Sequence, residues 1–169
     1  MPARSTTTVN SNYPDPLNYS ERLNRTTEDA VLLLGRVALG AIFVKSGLQK
    51  LMTVGAFAAS LGARGIPQSS MWALIGATVE FFGGILIVTG LKTRYASVLM
   101  ILFVIVATAI SHRFWEFADA ARRAQESQFF KNLSIIGGFV LLFATGSGRF
   151  GLDALLRRRT RVRRDEALA

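Results

Sequence analysis

The sequence predicts an all-α integral membrane protein built as a four-helix bundle. Of its 169 residues, 50% are hydrophobic and only 18% are charged, and the mean hydropathy is +0.34; a soluble domain usually carries about 25% charged residues. Basic residues lie mostly at the ends of long apolar runs, where the surfaces of a bilayer place them. The net charge of +9 therefore favours a lipid bilayer over nucleic acid, because a nucleic-acid-binding protein spreads its Lys and Arg over a soluble surface.

Four segments are long and apolar enough to cross a bilayer core of roughly 30 Å, which takes about 20 residues. They are residues 30–51, 71–91, 95–110 and 129–145. Only Lys92, Thr93 and Arg94 separate the second segment from the third. This short connection predicts a tight helical hairpin.

Two of the connecting loops carry a helical pattern of apolar residues. The spacing i, i+3, i+4, i+7 begins at Val54 in the loop after the first span and at Phe114 in the loop after the third. We expect two short amphipathic helices that lie in the membrane interface. Either of them could instead enter the bundle part-way.

Charge asymmetry predicts that both termini face the cytoplasm of a multi-pass inner-membrane protein. With four spans, twelve of the 20 basic residues lie on the side of the termini and seven on the other, and the richer side is cytoplasmic by the positive-inside rule. Six of the twelve lie in residues 157–164. The predicted organisation is a flexible tail over residues 1–28, a transmembrane domain over residues 29–153 and a basic cytoplasmic tail over residues 154–169.

The composition also limits the redox chemistry of a single chain. There is no Cys, so neither a disulfide, a thiolate metal site nor a dithiol centre can form. His112 is the only histidine, and a two-histidine haem or multi-histidine metal centre needs more than one. We therefore expect no haem or metal within one chain.

Glu80 is the most informative residue of the spans. It is about 15 Å from either end of the second span, at 1.5 Å per residue. An ionised carboxylate at that depth costs several kcal/mol unless it is paired or faces a polar cavity. The candidate partners are Arg36 and Lys45 of the first span, although both could instead extend to the two interfaces. Intramembrane acids are functional candidates, but a structural carboxyl that hydrogen-bonds to neighbouring helices would fit equally.

A second polar group is predicted at the outer ends of the spans. Lys50 ends the first span, His112 ends the third, and Lys131 and Asn132 open the fourth. Each alone is an ordinary helix-end residue, but together they are expected at one depth. A histidine, which exchanges protons near neutral pH, beside amine and amide donors suits binding and protonation of a quinone or another carbonyl ligand. The predicted site has Glu80 and His112 as catalytic candidates and Arg36, Lys45, Lys50, Lys131 and Asn132 as ligand-binding candidates.

Several short motifs occur in an order that is typical of one family. They are Arg36, Ser46-Gly47-x-x-Lys50, Glu80 with Gly83-Gly84, Gly90-Leu91-x-Thr93-Arg94, His112-x-Phe114, Lys131-Asn132-Leu133 before Gly137-Gly138, and Gly148-Arg149-x-x-Leu152-Asp153. Over residues 32–153 the chain resembles the DoxX family of small bacterial membrane proteins. It departs from the family pattern at Gly151, where a Ser is common.

The resemblance implies a four-helix membrane protein linked, through the founding members, to thiosulfate:quinone oxidoreductase. We therefore expect a membrane subunit of a quinone-linked oxidoreductase that binds quinone or a lipid-like ligand in the bundle. Its electrons would come from a cofactor-bearing redox partner, and a homo-oligomer is the other expected assembly. Two alternatives remain, a small oligomeric transporter or channel and a membrane anchor that recruits a soluble redox enzyme.

Overall fold

Helices form all the regular structure in the part of the chain that the structure describes. The structure is a computed structural model, and it describes the backbone of residues 16–166 and the side chains of residues 24–160. The elements are α1 (Pro16–Met52), α2 (Val54–Gly62), α3 (Ser69–Thr89), α4 (Thr93–Ser111), a 3₁₀ turn (Phe114–Glu116), α5 (Asp119–Thr145) and α6 (Leu152–Glu166). Four segments are long and apolar enough to span a membrane: Asn24–Met52, Ser69–Thr89, Thr93–Glu116 and Asp119–Thr145. The predicted all-α, four-span fold is confirmed.

The four long helices enclose one apolar core. Helix α1 packs on α3, α3 on α4, α4 on α5 and α5 on α1. The ring of Phe43 lies 6.4 Å from that of Phe103 and 5.5 Å from that of Phe139, measured between centroids. Ile87 and Met100 are fully buried in the same cluster. We call the end with α6 and the turn at residues 90–92 the hairpin end, and the end with α2 and the 3₁₀ turn the loop end.

Helices α1 and α3 approach closely because glycines lie where they cross. A Cβ atom at Gly47 would lie 2.5 Å from the backbone nitrogen of Phe81, and one at Gly84 would lie 2.8 Å from that of Val44. Membrane helices come this close only where a residue carries little or no side chain. These contacts set an antiparallel register with Gly47 opposite Phe81.

Helix α1 begins earlier than the hydrophobic pattern indicated. It starts at Pro16, and proline is well suited to a first helical position because its missing N–H has no partner there. Residues 16–28, expected in the flexible tail, therefore continue the helix, while residues 1–15 lie outside the described residues. Asp29 is buried and accepts a hydrogen bond from the backbone nitrogen of Arg149 at 2.8 Å. This hydrogen bond ties the start of the first span to the segment that follows α5.

The basic segment after the last span is also helical. Helix α6 runs to Glu166, and residues 167–169 lie outside the described part. Asp153 of its first turn holds α6 to the α3–α4 turn, because its backbone nitrogen donates to Gly90 O at 3.0 Å.

The first predicted amphipathic helix is present as α2. Its buried residues Ala58 and Leu61 pack against Ala73 of α3. Ile110, near the end of α4, is partly buried against the same cluster. Helix α2 therefore covers the loop ends of α3 and α4.

The second predicted amphipathic helix is not a separate helix. The chain forms a 3₁₀ turn, then extends at Phe117 and Ala118, and Asp119 begins α5 with φ +51°. The Phe114 ring instead packs edge-on against Phe129 of α5, with centroids 5.4 Å apart. An aromatic contact to α5 thus replaces the helical continuation that the spacing predicted.

Candidate functional site

The structure divides the predicted site residues between several regions of the bundle. A cavity of about 180 Å³ near the loop end is lined by five of them: Lys50, Glu80, His112, Lys131 and Asn132. Arg36 is buried at the hairpin end, and Lys45 lies exposed on the surface of α1. The cavity therefore defines a smaller candidate site than the one predicted.

Glu80 is paired with Lys50 inside the bundle. Lys50 Nζ donates to Glu80 Oε2 at 2.6 Å. The Glu80 side chain is 5% exposed, whereas that of Lys50 is 33% exposed. Lys50 Nζ also lies 5.2 Å from the ring centroid of Phe57 in α2, within the range of a cation–π contact. The pair thus links the buried acid to the accessible edge of the cavity.

The predicted pairing of Glu80 with Arg36 or Lys45 is wrong. Because Gly47 lies opposite Phe81 in the α1–α3 register, the residue within one turn of Glu80 on the facing side of α1 is Lys50. Lys45 points away from that face and is exposed. Depth along the membrane alone could not reveal this, since the pairing also depends on how α1 is rotated about its axis.

Helices α4 and α5 supply the opposite wall of the cavity. Asn132 Nδ2 donates to Thr108 Oγ1 at 2.9 Å, and that hydroxyl donates to Val104 O at 2.6 Å. The hydroxyl is thereby fixed, so it orients the Asn132 amide. Two amide hydrogens are available on Nδ2, and one remains for a ligand.

Two glutamines of α5 hold the side chains of His112 and Lys131 at the cavity edge. His112 Nδ1 lies 2.8 Å from Gln125 Oε1, and Lys131 Nζ donates to Gln128 Oε1. An amide oxygen only accepts hydrogen bonds, so with this amide orientation Nδ1 carries the proton. Within the described residues no partner is found for Nε2 of His112.

Sequence reasoning missed three hydroxyl residues at this site. Ser46 and Ser111 line the cavity, and Thr108 holds Asn132. Ser46 precedes Lys50 by four residues and Thr108 precedes His112 by four, a spacing that places both members of each pair on one face of a helix. That spacing was the available signal for Ser46 and Thr108.

An apolar groove adjoins the cavity. It has a volume of about 560 Å³ and lies along α3 and α4, with α2 at one end. Lys50, Phe103 and Ser111 line both the groove and the cavity. Trp72 and Val106 in the groove are about half exposed, so in a bilayer they would face lipid. A polar cavity thus meets an apolar, lipid-facing groove.

Arg36 has a structural setting at the hairpin end. It is 2% exposed; its Nη1 donates to Ser147 O at 2.6 Å and its Nη2 to Phe150 O at 3.3 Å. Gly90, with φ +68°, passes so close to the guanidinium that any side chain there would collide with it. Arg36 therefore holds the segment after α5 against the α3–α4 turn.

Asp153 binds the first residues of α4 at the same end of the bundle as Arg36. Its carboxylate accepts hydrogen bonds from the backbone nitrogens of Lys92 at 2.7 Å and Thr93 at 3.0 Å. Burial alone would raise the pKa of Asp153, but these hydrogen bonds and the nearby charge of Arg157 hold that pKa below its usual value. The carboxylate therefore serves as the cap of α4.

Within the described residues, no group of three or more His, Asp and Glu side chains is arranged to hold a metal ion. The polar groups of the cavity instead include the donors of Lys50, Lys131 and Asn132, the hydroxyls of Ser46 and Ser111, the imidazole of His112 and one paired acid. Such a set is suited to a ligand that carries carbonyl oxygens.

Comparisons with known proteins agree with a membrane protein. The family model described as DoxX matches residues 31–113, a segment that contains Lys50, Glu80 and His112. The chain is 34% identical over 123 residues to the inner membrane protein YphA of Escherichia coli, which covers 73% of this chain and 88% of YphA. It is 29% identical over 132 residues to the inner membrane protein YqjF of the same organism, covering 78% of this chain and 96% of YqjF.

A third relative carries a functional name. The putative oxidoreductase CatD of Bacillus subtilis is 38% identical over 85 residues, which covers 50% of this chain and 61% of CatD. No solved structure matches the chain.

Proposed function

This chain belongs to the DoxX family of membrane proteins, and on that premise we propose that it is a quinone-binding membrane subunit of an oxidoreductase. The ligand is a quinone or a similar lipid with a carbonyl headgroup. The observation that carries the proposal is the junction of the polar cavity with the apolar groove at Lys50 and Ser111. The printed name of CatD, a putative oxidoreductase, supports the redox assignment.

The dimensions of the two spaces fit a headgroup with a tail. Small-molecule sites usually measure about 300–1,000 Å³, so a cavity of about 180 Å³ takes only part of a ligand. The adjoining groove of about 560 Å³ is long and apolar. A ring headgroup in the cavity would therefore place its apolar tail along α3 and α4.

The side chains of the cavity match a carbonyl ligand. Asn132 and Lys131 present donors from α5, and Lys50 presents one from α1. The 2.6 Å pair with Glu80 fixes the position of Lys50 Nζ at the edge of the cavity. When bound, a quinone supplies two-electron, two-proton redox chemistry.

His112 is the candidate proton donor. With Nδ1 held by Gln125, the imidazole is fixed in orientation and can carry a second proton on Nε2. An imidazole exchanges protons near neutral pH, which suits general acid catalysis. Since the chain has no Cys and one His, we propose that a cofactor-bearing partner delivers the electrons.

The transporter alternative receives less support from the arrangement of polar groups. Phe43, Met100 and Phe139 fill the bundle between the cavity and the buried guanidinium of Arg36. An ion or solute would therefore meet a hydrophobic barrier at mid-bundle.

Tryptophan fluorescence offers a direct test of quinone binding. Trp72 lines the groove, whereas Trp115 packs on Phe114 outside it. In the purified Trp115→Phe protein, short-tailed ubiquinone or menaquinone analogues should quench Trp72 fluorescence with a saturable dependence on concentration. If neither analogue gives saturable quenching, the proposed function is wrong.

Two lysine variants make the test specific to the cavity. Lys131 lines the cavity and is exposed at its edge, while Lys45 is an exposed lysine of α1 away from it. Lys131→Gln should weaken quinone binding about tenfold, the effect of one charged hydrogen bond. Lys45→Gln should leave the affinity unchanged, and equal effects of the two variants would contradict a site in the cavity.

A further inference from the structure

A cleft at the hairpin end has a strong excess of basic side chains. It measures about 560 Å³ and lies between the α3–α4 turn, the segment after α5 and the first turns of α6. Its charged lining residues are Lys92, Arg94, Arg149, Arg157 and Arg158, with Asp29 and Asp153. Five cations thus face a space that contains two carboxylates.

Both carboxylates are already engaged by protein groups. Asp153 accepts the backbone N–H groups of Lys92 and Thr93. Asp29 accepts the backbone N–H of Arg149, and its second oxygen lies 3.8 Å from Nε of the same residue. The acids therefore leave much of the positive charge uncompensated.

Four of the five cations form no close ion pair, although the charge of Arg157 also acts on Asp153. Among the described residues, only Arg149 of this set forms a salt bridge. Arg94 donates one weak hydrogen bond, to Ala144 O at 3.2 Å, and is exposed. Arginine side chains grouped in this way bind phosphate oxygens well, because the planar guanidinium can donate two parallel hydrogen bonds.

A second apolar groove continues from the cleft along the outside of α4. It measures about 580 Å³, and Arg94 and Tyr95 line both spaces. Beyond them the groove is lined by Val98, Leu102 and Phe143, all more than 40% exposed. From Tyr95 to Leu102 the groove follows α4 for about 10 Å at 1.5 Å per residue, most of one leaflet of a bilayer core of roughly 30 Å.

We propose that the cleft and the groove together bind one anionic phospholipid. The phosphate would lie among the arginines of the cleft, and one acyl chain would lie against Val98 and Phe143. A free phosphate would use only the cleft and leave the adjoining groove without a role, so the joined surfaces favour a lipid. Basic pockets beside membrane helices are typical binding sites for anionic headgroups. The cleft is at the opposite end of the bundle from the cavity, and the lipid proposal does not depend on the proposed function, although its groove shares Leu99 and Leu102 with the groove beside the cavity.

The test compares two variants that each remove two arginine charges. Arg94→Gln/Arg158→Gln changes the cleft, whereas Arg122→Gln/Arg123→Gln changes two exposed arginines at the start of α5, outside it. Native mass spectrometry of the detergent-purified protein, titrated with phosphatidylglycerol or phosphatidylcholine, gives the affinity for each lipid. The cleft variant should lose about 25-fold in affinity for phosphatidylglycerol, or about fivefold per charge, and the control should lose little.

A third variant separates a lipid from a free phosphate. Val98→Trp fills the groove and leaves the basic cleft intact, so it should also weaken phosphatidylglycerol binding, while inorganic phosphate should not displace the lipid. Equal loss in the two double-arginine variants would overturn the proposal, because the effect would then come from overall charge. Unchanged binding to Val98→Trp, together with displacement by inorganic phosphate, would overturn it in favour of a phosphate site.

Discussion

The bundle accommodates the buried side chain of Glu80 because Lys50 lies beside it. Removing a carboxylate from water costs several kcal/mol even after the protein relaxes, and a close cation offsets much of that cost. The 2.6 Å distance lets Lys50 Nζ attract the Glu80 carboxylate. The partial exposure of Lys50 gives its amine access to the polar edge of the cavity. Lys50 should therefore matter more to the fold than any other lysine of α1.

Loss of the Lys50 charge should destabilise the bundle. Lys50→Gln leaves Glu80 buried without a cation, and we expect a loss of roughly 2–3 kcal/mol, less than for a fully buried pair because Lys50 is one-third exposed. Thermal unfolding in a mild detergent, with Lys45→Gln as the control, measures the difference. The Lys50→Met/Glu80→Met double variant should recover most of the stability, and failure to recover would argue against the ion pair as the cause.

The site could be predicted from the sequence by residue type but not by pairing. Glu80 stands out because the membrane disfavours it, and Lys50 and His112 stand out because they end two spans at one depth; all three line the cavity. Which cation meets Glu80 depends on the axial register and rotation of α1, and these are set by the contact of Gly47 with Phe81. Such a contact between backbones has no signature in the hydrophobic pattern.

At the scale of elements, Asp153 connects three segments of the hairpin end. Its carboxylate accepts hydrogen bonds from the first residues of α4, and its backbone N–H donates to Gly90 O at the end of α3. Asp153 itself lies in the first turn of α6. One residue thus ties the start of α6 to the α3–α4 turn.

The Asp153 carboxylate should make the stability of this end depend on pH. Its pKa is lower in the folded chain than in the unfolded chain, so its contribution is complete above the unfolded value of about 3.9 and is lost as pH falls through the lower folded value. Asp153→Asn should cost about 0.5–2 kcal/mol at neutral pH, as for a helix cap, and should remove this part of the acid dependence.

Thermal unfolding over a series of pH values checks this expectation. Asp119→Asn is the matched control, because Asp119 also lies in a first helical turn but is exposed. It should keep the pH dependence of the parent chain. An acid dependence that is the same in Asp153→Asn and in the parent would show that other carboxylates are responsible.

The long elements were easier to predict than their connections. Four apolar runs identify the spans because the bilayer excludes polar residues over that length. The loop after α4 carries the same apolar spacing as α2, yet Asp119 has φ +51° and Phe114 packs on Phe129 of the next helix. A tertiary contact therefore determines the conformation of this loop, and the local periodicity could not reveal that contact.

At the scale of the whole molecule, the two ends of the bundle contain different sets of polar side chains. The loop end contains the cavity, with its paired acid and hydrogen-bond donors. The hairpin end contains Arg36 and Asp153, which join distant parts of the chain, and the basic cleft. The apolar cluster around Phe43 separates them. If the positive-inside rule holds for this chain, the hairpin end faces the cytoplasm and the proposed quinone site lies near the outer surface of the inner membrane.

Labelling of single cysteines tests this orientation without a background signal, because the chain contains no Cys of its own. Ala63 is exposed at the loop end, just after α2, and Thr160 is exposed in α6 at the hairpin end. A membrane-impermeant maleimide should label Ala63→Cys in intact spheroplasts and should label Thr160→Cys only after lysis. The physical basis is the excess of arginine on the α6 side, which costs too much free energy to carry across the membrane. The reverse pattern would place the cavity on the cytoplasmic side, so the electron-delivering partner would be sought there. Labelling of both cysteines in intact spheroplasts would contradict the three spans that lie between them.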